Sequence, residues 1–435
     1  MNGVTQAVQL ILLKKSVNSR IYKAIYDSLF SLKGTRTMSK LTIDNLNLKN
    51  KKALIRCDFN VPLDENLKIT DDRRIVASLP SIKKVLDEGG AAILCSHLGR
   101  PKGQIKEEMR LKPVADRLQS LLGLPVIMAE DCIGSKVLEQ KKNLKAGDVL
   151  LLENLRFHKA ETDNDSDFAR QLAEGADLFI NDAFGTAHRA HASTEGVTHF
   201  FDQCAAGYLI EKELKFLGQA IENPKRPLLA ILGGAKISGK IDVIENLLNK
   251  VDSLIVGGGM AYTFFKSMGY EIGTSLLEED KIEMAGQILK KAKAKNVKLI
   301  LPVDVKVAKE FDDNAQAKFV DVKNIPSNFM GMDVGPESMK QFEAEALKAK
   351  TIVWNGPVGV FEMSNFLQGT KSLAEAIAKA TSQGAVSIIG GGDSAAAISK
   401  FGMDEQFSHI STGGGASLEF LEGKILPGIA ALSEV

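Results

Sequence analysis

Short apolar runs alternate with longer amphipathic stretches along almost the whole chain. In the first half, the runs Ala53–Cys57, Ala91–Cys95, Pro125–Met128, Val149–Leu152 and Leu178–Ile180 predict strands. Helical spacing predicts helices over Arg74–Glu88 and Lys112–Leu122, the second with Pro113 near a first-turn position. The second half repeats the pattern, with predicted strands Leu228–Leu232, Ser253–Val256, Lys298–Leu301, Thr351–Trp354 and Ala385–Ile389. Its predicted helices are Lys240–Lys250, Asp280–Lys295, Glu337–Lys348, Thr370–Thr381 and Ser394–Lys400. Alternating strand and helix, with strands rich in Val, Ile and Leu, predicts parallel sheets covered on both faces. The fold class expected is α/β: two doubly wound, Rossmann-like parallel-sheet domains joined by a hinge helix. That helix is expected over 208–222, where Leu214, Leu217 and Ile221 recur at helical spacing before Asn223-Pro224-Lys225-Arg226-Pro227 breaks the pattern.

Length and composition agree with this division. A chain of 435 residues with 44% hydrophobic and 25% charged positions is long enough for two or three domains, each with its own core. A formal net charge of +1 argues against nucleic acid as a partner, although it says nothing about local clustering. No apolar run reaches the roughly 18 residues that a membrane span needs. The four cysteines, Cys57, Cys95, Cys132 and Cys204, show no CxxC spacing, which points to a reducing compartment and no zinc site. Residues 1–37 differ from the rest: six basic residues accompany one acid, Asp27, and an apolar stretch, Val8–Leu13. Two readings fit, an organelle transit peptide or an upstream extension with Met38 as the working start. Either way 1–37 is set apart from the fold, and a cytoplasmic location carries the organelle as its alternative.

Different chemistry sits in the two halves. The first places Arg and His at the ends of apolar runs: Arg56, Arg74, Arg100, Arg156 and Arg189, with His97, His188 and His191. The planar Arg fork grips carboxylate and phosphate, so five such residues on converging strand ends suggest an anion-binding basin. No Cys or acid completes the three histidines as a zinc set at ligand spacing. The second half ends its runs in glycine, at Gly233-Gly234, Gly257-Gly258-Gly259, Gly390-Gly391-Gly392 and Gly413-Gly414-Gly415. Glycine turns let backbone N–H groups and helix N-termini approach phosphates. Gly234 to Lys240 has the spacing of a P-loop, but Ile241 stands where a Ser or Thr hydroxyl would be needed. The Gly257 run lacks the third glycine of the dinucleotide fingerprint, which argues against a nicotinamide-dependent oxidoreductase. Lys236 and Lys240 lie four apart, on one face if the helix starts early enough. Asp393 suits either a helix N-cap or a magnesium ligand, and Glu362 could accept hydrogen bonds from ribose hydroxyls.

Taken in order, the segments Arg56–Pro62, Ser96–Pro101, Glu153–Phe157, Asn181–His191, Gly233–Lys236, Trp354–Glu362, Gly390–Asp393 and Ser411–Ala416 resemble the phosphoglycerate kinase family. The resemblance runs from about Leu41 to the end. Cys57 stands where the family commonly has Val, and Gly239 where many members have Asp. The family is a phosphotransferase with a carboxyl group as acceptor. The resemblance implies reversible, Mg2+-dependent phosphoryl transfer from 1,3-bisphosphoglycerate to ADP, giving 3-phosphoglycerate and ATP, in glycolysis, gluconeogenesis or carbon fixation. It implies a 3-phosphoglycerate-binding domain over 38–207, a nucleotide-binding domain over 208–423 and a tail, 424–435, that returns to the first. It assigns Asp58, Phe59, Asn60, Arg74, His97, Leu98, Gly99, Arg100, Arg156 and Arg189 to the glycerate substrate. Lys240, Gly257, Gly258, Gly331, Glu362, Gly391, Gly392, Asp393 and Ser394 fall to the nucleotide, with Asp393 at the magnesium. Catalysis falls to Arg74, Lys236, Gly392 and Gly414. The expected partners are these small molecules alone, bound by a hinge-bending monomer. A two-lobed, non-catalytic anion binder would not need Lys236, Asp393 and the Arg basin together.

Overall fold

The computed structural model describes residues 40–435; the expectations for 1–37 and for a start at Met38 lie outside the described residues. Six parallel strands form the first sheet: β1 (Lys52–Cys57), β2 (Ala91–Cys95), β3 (Val126–Met128), β4 (Val149–Leu151), β5 (Leu178–Asp182) and β6 (Cys204–Ala206). Their order is β3-β4-β2-β1-β5-β6. A second parallel sheet holds β7 (Leu228–Leu232), β8 (Ser253–Val256), β9 (Lys298–Ile300), β13 (Thr351–Asn355), β14 (Val386–Gly390) and β15 (His409–Ile410). Its order is β15-β14-β13-β7-β8-β9. β2, β7 and β13 are buried at every position, because helices cover both faces. Each sheet reverses its winding once, at β1/β5 and at β7/β13. Ligand crevices in such sheets lie beyond the carboxyl ends of the strands, at those switch points.

A third, three-stranded antiparallel sheet departs from the expected pattern: β10 (Asp304–Ala308), β11 (Ala317–Asp321) and β12 (Met330–Val334), in the order β11-β10-β12. Lys306, Lys318 and Gly331 interrupt its apolar runs, and β11 is mostly solvent-facing, so no continuous hydrophobic signal marks it. The edge strands β6 (Cys204–Ala206) and β15 (His409–Ile410) also go unmarked, since neither carries a run of Val, Ile or Leu.

Helix limits follow local chemistry. The helix Lys112–Leu122 has proline in its first turn and ends on Gly123 at φ 70°, the left-handed conformation glycine adopts without penalty. The helix Tyr208–Glu222 runs between the two sheets and ends beside Asn223. Its buried stripe is Ile210, Glu213, Leu217, Ala220 and Ile221, an apolar face with one carboxylate in it. Glu213 accepts from Thr412 N at 2.9 Å and pairs with His409 Nε2 at 2.8 Å, and Phe216 stacks on the His409 ring at 4.9 Å. The linking helix is thereby tied to β15 and to the glycine turn that follows it.

The last residues return to the first sheet. Gly428 N donates to Ala187 O at 2.9 Å, Asn181 Nδ2 to Gly428 O at 3.0 Å and Ser433 N to Cys204 O at 2.9 Å. All four cysteines are buried and free. Among the described residues, no helix is long and apolar enough to cross a membrane.

Candidate active site

The carboxyl ends of β1, β2, β4 and β5 meet in one polar network. Gly99 N donates to Asn60 Oδ1 at 2.8 Å and Phe59 N to Ser96 Oγ at 2.9 Å, which locks the β1 and β2 loops together. Asn154 Oδ1 accepts from Leu98 N at 3.2 Å, and Arg156 Nη1 donates to Gly99 O at 2.9 Å, adding the β4 loop. Arg74 Nη1 reaches Asp58 Oδ2 at 2.8 Å from the first turn of the helix Arg73–Asp87. Arg189 Nε donates to His188 Nε2 at 3.1 Å, while Arg100 stays exposed at the rim. Arg56 does not belong to the basin. It is fully buried, and its guanidinium is taken up by Ser193 Oγ, the Cys57 carbonyl and His97 Nδ1. A strand-end position is no guide to direction here, since alternate residues face opposite sides.

The charge balance of this network asks for an anion. Arg156 is pushed down to about 10, by burial first and then by the cations of Arg56 and Arg189. Burial, with Arg156, Arg56 and Arg189 adding to it, brings His191 down to about 4. Burial, with Arg56, Arg156 and Arg74 adding to it, holds His97 well below the ordinary histidine range, so both rings are neutral at pH 7. Arg156 Nε is buried without a hydrogen-bond partner among the described residues. Crowded cations with an unused donor are relieved by a bound carboxylate or phosphate.

The second sheet presents a cleft of about 500 Å³ at its carboxyl edge, lined by Gly234, Gly258, Gly331, Val358, Glu362 and Asp393 among others. Close backbone approach explains its glycines. Gly234 N donates to Pro357 O at 2.9 Å and Gly258 N to Val358 O at 3.1 Å, across the β7/β13 switch point. A Cβ on Gly257 would lie 2.7 Å from Val358 Cγ1. Gly331, on β12, brings the antiparallel sheet to the cleft; a Cβ there would overlap the Tyr262 hydroxyl. Gly331→Ala is therefore expected to cost about 1–3 kcal/mol of stability by overpacking. Adding Tyr262→Phe should recover little of it in urea unfolding, because the ring carbon that carries the hydroxyl would still overlap that Cβ. An unchanged midpoint in the single variant would show that the ring moves aside freely.

Gly391, at φ 86°, caps the helix Gly392–Lys400, so Asp393 is not the N-cap; it lies exposed in the first turn, facing the cleft. Ser394 Oγ accepts from Gly356 N at 2.6 Å and pins this helix start to the β13 loop. Lys240 Nζ donates to Asn355 O at 2.8 Å and to Asn355 Oδ1 at 2.6 Å. Burial pushes the Lys240 ammonium down to about 8, with the Asp393 charge acting the other way. Lys236 is exposed, and the α-helix begins only at Ile241 after a tight turn over Ser238–Lys240. The two lysines therefore share no helical face, contrary to their spacing. Gly414, at φ 51°, stands in the turn after β15, where a Cβ on Gly415 would meet His188 Nε2 of the first half at 3.4 Å.

Asn355 and Asn154 organise the two networks. Both lie inside the quoted segments, but as amides beside more eye-catching Arg and Gly residues. Glu213 left a clearer signal, an acid on the apolar stripe of a helix.

Comparison with known proteins agrees with this geometry. The family model described as phosphoglycerate kinase matches residues 43–424. Phosphoglycerate kinase from Chlorobium chlorochromatii is 58% identical over 396 residues, 91% of this chain and 100% of the relative. That from Chloroherpeton thalassium is 59% identical over the same shares. The solved structure of phosphoglycerate kinase from Coxiella burnetii superposes with a TM-score of 0.83 at 47% identity, covering 90% of this chain and 98% of that one. A Pyrococcus horikoshii phosphoglycerate kinase gives 0.78 at 32% identity, with the same coverage. With a cationic edge on one parallel sheet, a glycine-lined cleft on the other and matches over nine-tenths of its length, the chain belongs to the phosphoglycerate kinase family.

Proposed function

We propose that this chain transfers a phosphoryl group reversibly between 1,3-bisphosphoglycerate and ADP, giving 3-phosphoglycerate and ATP. One observation carries the reading: two complementary anion sites stand at the switch points of two sheets in a single chain. The 38–207 segment takes the glycerate, through Asp58, Phe59, Asn60, His97, Leu98, Gly99, Arg100, Arg156 and Arg189. The 208–423 segment takes the nucleotide, through Lys240, Gly257, Gly258, Gly331, Glu362 and the Gly391–Ser394 helix start. A monomer suffices, since both sites belong to one chain. Four free buried cysteines fit a reducing compartment, the cytoplasm or, if residues 1–37 act as a transit peptide, an organelle interior.

Asp393 fits a magnesium ion, which takes one or two carboxylates and nucleotide oxygens; its carboxylate is exposed to the cleft beside a helix N-terminus. Bound there, Mg2+ neutralises nucleotide phosphate charge. The protein's own groups do the rest. A loose phosphoryl transition state spreads charge over three equatorial oxygens and needs little covalent help. Arg74 on one side, Lys236 on the other and the backbone N–H groups of Gly392 and Gly414 surround that charge. Closure of the two halves about the linking helix brings the substrates in line and excludes water, which would otherwise accept the phosphoryl group.

A coupled assay with ATP, Mg2+, 3-phosphoglycerate and a reporter for 1,3-bisphosphoglycerate tests the reaction; a folded sample without turnover would sink it. Lys240→Ala should raise the nucleotide KM about tenfold or more, as loss of a charged contact does, and leave the 3-phosphoglycerate KM nearly unchanged. The sign of its pH dependence follows from the lowered value: the ammonium is charged below about 8 and neutral above it. Nucleotide KM should therefore rise as pH passes upward through about 8. A flat profile, or a larger effect on 3-phosphoglycerate, would remove Lys240 from the nucleotide site.

A further inference from the structure

Arg73, the neighbour of Arg74, faces away from the basin and bridges the two halves of the chain. Its Nε and Nη2 grip the Asp71 carboxylate, with Nε at 3.0 Å from both oxygens. Its Nη1 donates to Ser399 Oγ at 2.6 Å and lies 3.5 Å from Asp404 Oδ1. Ser399 Oγ in turn donates to Asp404 Oδ1 at 2.5 Å. Asp71 thus holds the guanidinium fork in place on the first half, and one arm reaches a polar pair on the second. Ser399 sits in the last turn of the helix Gly392–Lys400, whose first turn carries Gly392, Asp393 and Ser394.

We infer that Arg73 is a positioning residue that fixes the Gly392–Lys400 helix relative to Arg74 when the two halves are together. Two effects combine. A cation at the carboxyl end of a helix complements its dipole, whose positive end faces the nucleotide side of the cleft. The same residue begins the helix that supplies Arg74, so one side chain sets the spacing between a group on the glycerate side and the helix start on the nucleotide side. The contact exists only when the halves meet, so it contributes to the reacting geometry and not to the folding of either half. The side chains of Arg73 and Asp404 are 57% and 43% exposed, which makes the bridge weak and sensitive to salt.

The inference rests on the proposed assignment of the two sites, and its test separates the two. Arg73→Ala, Arg73→Lys, the double variant Ser399→Ala/Asp404→Ala and the triple combination with Arg73→Ala are compared in the coupled assay, with thermal unfolding alongside. At saturating Mg-ATP, kcat/KM for 3-phosphoglycerate should fall about two- to fivefold in Arg73→Ala, the range of an exposed ion pair. Arg73→Lys should recover part of it. Tm should not move, and adding Arg73→Ala to the double variant should cost nothing more. Raising salt from about 0.05 to 0.5 M should shrink the difference between wild type and Arg73→Ala. Full activity in Arg73→Ala, or an undiminished loss in the background lacking Ser399 and Asp404, would overturn the role while leaving the kinase reading intact. An inactive wild type would instead overturn that reading.

Discussion

Arg74→Ala is expected to lower kcat by roughly 10² or more, the effect of removing one preorganised donor to transition-state charge. Arg74 Nη1 lies 2.8 Å from Asp58 Oδ2, and the Asp58 side chain is only 7% exposed. Removing the guanidinium therefore does two things. Under the proposed assignment, it withdraws positive charge from the phosphoryl group in transfer and leaves a buried carboxylate unpaired beside an anionic substrate. The first lowers kcat; the second raises the 3-phosphoglycerate KM. Arg74→Lys keeps the charge but not the fork, and should recover only part of the rate. Steady-state kinetics in the coupled assay separates the two parameters. An unchanged kcat in Arg74→Ala would remove this residue from the transferring group.

The second large effect concerns stability. Glu213→Ala should cost about 2–6 kcal/mol, because it strips the acceptor from two buried donors at about 1–3 kcal/mol each. Glu213 and His409 are both almost wholly buried, and the carboxylate serves His409 Nε2 and Thr412 N at once. His409 Nδ1 has no hydrogen-bond partner among the described residues, so the ring has none to fall back on once Glu213 is gone. Urea unfolding should show the loss as a lower midpoint with little change in slope. A midpoint within about 0.5 kcal/mol of wild type would place the pair among contacts that contribute little. Because the same carboxylate ties the linking helix to the Thr412–Gly415 turn, the variant should also be slower at any temperature where it stays folded.

Much of this arrangement is legible in the sequence. Ten of the twelve parallel strands coincide with apolar runs, because strands in a sheet covered on both faces carry few polar positions. The glycines after β7, β8, β14 and β15 stand out as clusters, and the cause at the first two, backbone passing against backbone at Pro357 and Val358, needed the fold. Direction was the less legible part. Arg56 and Arg156 look alike at strand ends, yet Arg56 is consumed inside the core and Arg156 keeps a donor with no partner among the described residues. The antiparallel β10–β12 sheet was invisible because a half-exposed strand carrying Lys306 and Lys318 has no continuous apolar run. Gly331 reached the candidate site only through the family resemblance, since nothing local marks it as the wall of a cleft.

The division of ligands between two sheets is the centre of the account, and crossed titrations test it most directly. 3-Phosphoglycerate and Mg-ADP would each be titrated by calorimetry into wild type, Arg189→Ala and Lys240→Ala. Arg189→Ala should lose affinity for 3-phosphoglycerate and keep it for Mg-ADP, and Lys240→Ala should do the opposite. Equal losses for both ligands in either variant, or the reverse pattern, would contradict it.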